Sequence, residues 1–139
     1  MTLEAHVFCT LPEVLASPLS AGVLGRAVEA GALDANVHSL HSLSPDPHHK
    51  ADDAPYGGGP GMVLRVDVVA HALEAVFDRD AATLRESFPV ILLTPQGEKF
   101  DQSVARELSG AETLVFICGR YEGVDEKVRR HIAGREISL

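Results

Sequence analysis

The sequence predicts an α/β fold, a mostly parallel sheet flanked by helices, and three observations carry that prediction. Short apolar runs bounded by turn residues alternate with helical patterns along the chain. Two of the runs, Val90–Leu93 and Leu114–Cys118, are continuously apolar, as strands buried on both faces are. No linker, internal repeat or low-complexity tract divides the 139 residues, a length that suits one domain with its own core.

Leu3–Phe8 reads as the first strand and Pro12–Ala16 as a short helix. Val23–Ala30 reads as a second helix, closed by Gly31 where a left-handed residue is wanted. Ala35–Leu40 is the next strand. Arg65–Phe77 places Val66, Val69, Leu73 and Val76 on one helical face. After strand Val90–Leu93, Asp101 is suited to cap a helix over Gln102–Leu108. Strand Leu114–Cys118 is followed by a helix over Val124–Ile132, with Val124, Val128 and Ile132 inward and Gly134 as its stop. Ile137–Leu139 begins a further strand. The long irregular segment is Ser42–Gly61, with four glycines, four prolines, two histidines and three aspartates and no hydrophobic pattern. Loops of that length are functional or disordered.

Composition narrows the class. Hydrophobic residues make up 45% and charged residues 23%, which describes an ordinary globular protein with an aliphatic core, since Trp is absent. Cys9 and Cys118 lie far apart in the sequence in apolar surroundings, which suits buried thiols in a reducing cytoplasm better than a disulfide framework. The first residues lack the basic and apolar regions of a signal peptide, and no apolar run is long enough to span a bilayer. A net charge of −8 points away from a phosphate-binding surface.

Four constellations could carry chemistry. Pro55-Tyr56-Gly57-Gly58-Gly59-Pro60-Gly61-Met62 lets backbone amides approach a planar or anionic ligand. It lacks the Lys-Ser/Thr of a phosphate-binding loop and the third glycine of a dinucleotide fingerprint. A hinge and a binding loop suit its composition equally. Leu92-Leu93-Thr94-Pro95-Gln96-Gly97 and Cys118-Gly119-Arg120-Tyr121-Glu122-Gly123 each run from a buried strand into a tight turn, the place where open α/β sheets bind ligands. Read without a family, the second is an ordinary connection with a solvated Arg–Glu pair. His38, His41, His48 and His49, near Asp46, Asp52 and Asp53, match no metal-ligand spacing.

Taken in order, the segments His49–Met62, Leu93–Gly97 and Cys118–Glu126 resemble the bacterial tRNA (guanine-N1)-methyltransferase family, TrmD. Gly25-Arg26-Ala27 and Leu11-Pro12-Glu13 match more weakly, and Phe8–Pro12 lacks an aromatic residue the family pattern has before the proline. The likeness covers nearly the whole chain.

The resemblance implies a SPOUT fold with a trefoil knot, an exception to the rule against knots. It implies a cytoplasmic homodimer that methylates N1 of the tRNA guanosine 3′ of the anticodon (position 37), with S-adenosylmethionine as methyl donor and magnesium assisting. By position, Leu93, Thr94, Pro95, Gly119, Tyr121 and Leu139 would line the cofactor pocket. Arg120 and Glu122 would be catalytic, Glu122 doubling as a metal ligand. Arg26, Asp52, Tyr56, Gly59, Pro60 and Gly61 would meet the tRNA and its extruded guanine. The family pattern continues past the position of Leu139 with a glycine-rich knot loop, a catalytic Asp and a helical tRNA-binding domain. The expectation is therefore that residues 1–139 form a cofactor-binding domain with its knot cut short, inactive alone. The alternative is a non-catalytic α/β module that binds a nucleotide or a protein.

Overall fold

The computed structural model describes residues 1–53, 63–119 and 123–139, the side chains of Asp52 and Asp53 excepted. Eight strands and five α-helices follow one another as β1 (Leu3–Cys9), α1 (Ala16–Ser20), α2 (Gly22–Glu29), β2 (Leu33–Ser39), β3 (Asp52–Asp53), β4 (Val63–Leu64), α3 (Val66–Phe77), β5 (Val90–Lys99), α4 (Gln102–Leu108), β6 (Thr113–Cys118), β7 (Gly123–Val124), α5 (Glu126–His131) and β8 (Arg135–Ser138) among the described residues. Single 3₁₀ segments at Pro12–Leu15 and Ala81–Glu86 complete the connections.

Five strands form a sheet in the order β2-β1-β6-β5-β8, and every pairing in it is parallel. The mostly parallel α/β sheet predicted from the continuous apolar runs is what forms. Period-two alternation splits those runs between two cores. Val90, Leu92, Val115 and Ile117 join Phe8 and the helix α3 residues Val68, Val69, Ala72 and Leu73 on one face. Ile91, Leu114 and Ile137 join Val104 and Leu108 of α4 on the other. A sheet covered on both sides needs apolar side chains in both phases, so its strands show no alternation in sequence. Each fully buried Leu, Ile or Phe in these clusters contributes about 1.5–3 kcal/mol of apolar transfer.

Local signals account for several ends. Gly31 has φ +76°, so it closes α2 in the left-handed region where a glycine avoids the Cβ penalty. Asp101 accepts the Val104 N–H at 2.9 Å and caps α4. Asp125 does the same for Lys127 at 2.9 Å, starting α5.

Other boundaries differ from the sequence expectation. Helix α5 begins at Glu126, and Val124 belongs to a two-residue strand instead. Pro12 opens a 3₁₀ turn, and the α-helix follows it from Ala16 to Ser20. The fully buried stripe of α3 is Val68, Val69, Ala72 and Leu73, with Val66 and Val76 only partly buried. Apolar residues occupy more than one stripe of that helix, so periodicity could not choose its inward face. Strand β5 runs on through Pro95 to Lys99, and β8 starts two residues early, at Arg135.

The segment read as irregular also gains structure. A second, three-stranded sheet joins β3, β4 and β7, with Asp53 opposite Val63 antiparallel and Val63 beside Gly123 parallel.

Candidate functional site

In a parallel sheet the carboxyl ends of all strands lie along one edge, where connecting loops converge. Here the register places Leu93 of β5 beside Cys118 of β6 on one side and Ile137 of β8 on the other. Three segments singled out in the sequence therefore meet: Leu93-Thr94-Pro95, Cys118-Gly119, and the end of β8 that leads to Leu139.

The register of β5 against β8 jumps at this point. Ile137 pairs with both Leu93 and Glu98, and the ladder skips residues 94–97. Thr94, Pro95, Gln96 and Gly97 therefore have no register partner on β8. Within the bulge the Gln96 N–H donates to Thr94 Oγ1 at 3.3 Å. Thr94 is half-buried, Pro95 exposed, and Gly119 exposed at the tip of β6. Leu139 is 87% exposed. Gly119 is packed close to β7, since a Cβ there would stand 2.9 Å from Val124 Cγ2.

The small sheet binds the flanks of the remaining two motifs. Strands β3 and β4 border the glycine-rich segment 54–62, and β7 directly follows 120–122. Pairing of β4 with β7, together with the Asp125 N–H to Leu64 carbonyl bond at 3.0 Å, holds residues 63–64 against 123–125, the positions that follow the two segments in the chain. Of the residues expected to act there, Tyr56, Gly59, Pro60, Gly61, Arg120, Tyr121 and Glu122 lie outside the described residues, and of Asp52 only the backbone in β3 is described. Arg26 is exposed on the last turn of α2.

A cleft of about 250 Å³ opens one strand away, lined by Cys9, Thr10, Leu11, Val14, Leu15, Cys118 and Gly119. Among the described residues it shares Gly119 alone with the expected cofactor residues. Ligand pockets commonly hold about 300–1,000 Å³, so this cleft suits part of a ligand at most. Cys9, Thr10 and Val14 are not among the site residues expected from the sequence. Their signal was faint: a strand end running into Leu11-Pro12 at the same sheet edge.

Neither thiol is activated. Burial pushes Cys118 up to about 11, with Cys9 adding to the effect. Burial also raises Cys9, although a hydrogen bond to the Leu11 backbone works against it. Both are free thiols, as expected.

The histidine-rich stretch ties its own loop together. His41 Nδ1 bonds the His49 carbonyl at 2.9 Å, and His49 Nδ1 bonds the His41 carbonyl at 3.1 Å. Asp46 accepts the N–H groups of His48 and Lys50, and the Lys50 N–H is the main reason its carboxyl is held below the usual carboxylate range. Among the described residues no three His, Cys, Asp or Glu side chains are grouped as a metal site.

Comparison with known proteins decides the family. The model of the family described as tRNA (Guanine-1)-methyltransferase TrmD matches residues 3–139. The chain belongs to this family. Curated relatives named tRNA (guanine-N(1)-)-methyltransferase include one from Dehalococcoides mccartyi (strain ATCC BAA-2266 / KCTC 15142 / 195), 43% identical over 99% of this chain and 54% of its own length. Another, from Geobacter sulfurreducens, is also 43% identical, over 99% of this chain and 54% of its own length. Among solved structures, the tRNA (m1G37) methyltransferase from Aquifex aeolicus superposes with a TM-score of 0.84 at 33% identity, covering 100% of this chain and 60% of that one. The chain thus spans about half the length of the curated relatives it matches.

Proposed function

We propose that these 139 residues form the cofactor-binding part of an enzyme that transfers a methyl group from S-adenosylmethionine to N1 of the tRNA guanosine at position 37. Family membership supports the reaction. The structural observation that carries the site is the convergence of Leu93–Gly97, Gly119 and the β8 end, with the flanks of segments 54–62 and 120–122 fastened alongside by the small sheet.

The residues present suit such a ligand. Residues 94–97 bulge out of the β8 register at the sheet edge, and Gly119 offers no side chain to obstruct approach. On this reading Leu93, Thr94, Pro95, Gly119, Tyr121 and Leu139 hold the cofactor largely through backbone groups. The cofactor's sulfonium supplies an electrophilic methyl group. Arg120 and Glu122 act beside the reacting atoms, Glu122 also being where a magnesium ion would bind. Asp52, Tyr56, Gly59, Pro60 and Gly61 receive the guanine.

Guanine N1 carries a proton at neutral pH, so its methylation needs a base as the new bond forms. The family likeness assigns that base outside these 139 positions. Arg26 would contact the tRNA backbone, but with a net charge of −8 the chain cannot supply most of the phosphate grip. The proposal includes the trefoil knot, a homodimer and a cytoplasmic location, each taken from the family. The described helices include none long and apolar enough to cross a membrane.

Calorimetric titration with S-adenosylmethionine tests the site. Binding by the 139-residue chain, weaker by about two orders of magnitude than by a full-length relative, is the expected result. Tritium transfer to tRNA bearing guanosine or adenosine at position 37 tests the chemistry. The chain alone should fall short of a full-length relative by several orders of magnitude. Absence of binding at millimolar cofactor would sink the reading, and full turnover by the chain alone would misplace the base.

A further inference from the structure

A part-buried polar chain, centred on buried His6, crosses the first two strands at residues that the proposed reaction does not use. His6 on β1 is only 6% exposed. Its Nε2 lies 2.6 Å from Glu4 Oε1, and its Nδ1 lies 2.9 Å from Nε2 of His38 on β2. The two imidazoles are stacked at 5.2 Å and 7°. Phe77 of α3 meets His6 edge-on at 4.8 Å, and Phe8 stacks on His38 at 4.6 Å.

Proton counting limits what this arrangement tolerates. A carboxylate only accepts, so His6 Nε2 carries hydrogen and donates to Glu4. With both rings neutral, His6 Nδ1 accepts from His38 Nε2–H. One added proton is accommodated, because a doubly protonated His6 donates to Glu4 and to His38 together. A second added proton leaves N–H groups facing each other at 2.9 Å on two stacked cations. The bond between the rings must then break.

We propose that Glu4, His6 and His38 form a proton-counting clasp that joins β1 to β2 in neutral solution and opens when both imidazoles become charged. Among the described residues, no hydrogen bond or ion pair to a second carboxylate serves either imidazole. On β2, Asp34 is exposed beside Glu4, and Asn36 donates to the Ala5 and Asp34 carbonyls. From β6 the register partners of Glu4, His6 and Phe8 are Thr113, Val115 and Ile117. From α3 the contact is the Phe77 ring, while Glu74 accepts the Ala81 N–H. Opening the clasp frees the end of β2. There the Leu40 N–H donates to the Cys9 carbonyl at 2.8 Å, and the histidine loop begins at the next residue. Acid would therefore loosen the anchor of the segment that leads to Asp52 and the glycine-rich motif.

Burial, and secondarily the His6 charge, hold His38 below its usual value. The folded chain thus takes up that proton later than the unfolded chain. The stabilisation is fully present above about pH 6.5 and is lost as pH falls below it.

Nitrogen-15 spectra of the imidazoles and amide hydrogen exchange, both followed from pH 7.5 to 5, test the clasp in the 139-residue chain. At pH 7.5 His6 should show hydrogen on Nε2, and His38 should titrate below the usual imidazole value. The opening constant at Leu40, corrected for intrinsic exchange, should rise by up to about tenfold per pH unit on acidification. His38→Gln keeps an amide donor for His6 but cannot titrate, and should abolish that rise. An unchanged rise in His38→Gln, or a His38 ring that titrates at or above the usual imidazole value, would overturn the proposal. The unsubstituted chain's spectra decide the matter if the variant does not fold.

Discussion

Gly97 sits where a Cβ would come within 2.5 Å of the Ile137 backbone nitrogen. The same hypothetical atom would stand 2.6 Å from the Glu136 carbonyl carbon, so the obstacle is strand β8 itself, not a movable side chain. This contact closes the bulge at 94–97 and fixes where the chain re-enters the ladder. Gly97→Ala must push β5 and β8 apart. The expected cost is about 1–3 kcal/mol in urea unfolding, the range for overpacking. Cofactor affinity should fall too, because the bulge moves with it. A variant as stable as the parent would show that β8 does not press on the bulge.

Asp101→Ala tests a smaller term. Its carboxylate accepts the Val104 N–H at the start of α4, and removing such a cap costs about 1 kcal/mol. Asp101→Asn preserves an acceptor and should recover most of the loss. Equal losses in the two variants would indicate that charge, not the hydrogen bond, matters at this position.

How far these features were legible in the sequence follows from the physics of each. Val90–Leu93 and Leu114–Cys118 announced themselves because strands buried on both faces must be apolar throughout. Gly31 and Asp101 were legible because helix ends need particular residue types. The early start of β8 was hidden by the polar Arg135-Glu136 pair. Arg135 is satisfied by Glu98 and Glu107, so an edge position accepts it. Val124 looked helical because its spacing to Val128 and Ile132 is helical. Its pairing through Leu64 is a long-range fact that no local period encodes. For the site, the strand-end motifs were evident, but the neighbouring cleft at Cys9 and Thr10 depended on which strands became neighbours. The order β1-β6-β5 cannot be read from chain order.

Both thiols, Cys9 buried and Cys118 half-buried, should alkylate slowly at neutral pH. With Cys118 at about 11, its thiolate fraction at pH 7.5 is roughly one in a few thousand. Its reaction with iodoacetamide, followed by mass spectrometry, should accelerate about tenfold per pH unit up to pH 10. Rapid modification at pH 7 would show that the thiol is less buried than the fold implies.

Substitution distinguishes the proposed cofactor site from the cleft beside it. If the cofactor occupies the convergence of β6, β5 and β8, a bulky residue in the Cys9–Val14 cleft should leave its affinity nearly intact. Val14 is exposed at the rim of that cleft, so Val14→Trp fills space without disturbing the core. Its dissociation constant for S-adenosylmethionine should stay within about twofold of the parent, since no contact of the proposed pocket is removed. Gly119→Val places a branched side chain at the β6 tip, where a Cβ already crowds Val124 and the proposed pocket begins. Loss of about 1.4 kcal/mol or more of binding energy, a tenfold weakening, is the expected outcome. Calorimetry on both variants, with circular dichroism to verify folding, distinguishes the sites. Tight binding by Gly119→Val combined with loss in Val14→Trp would move the cofactor to the β1 side of the sheet.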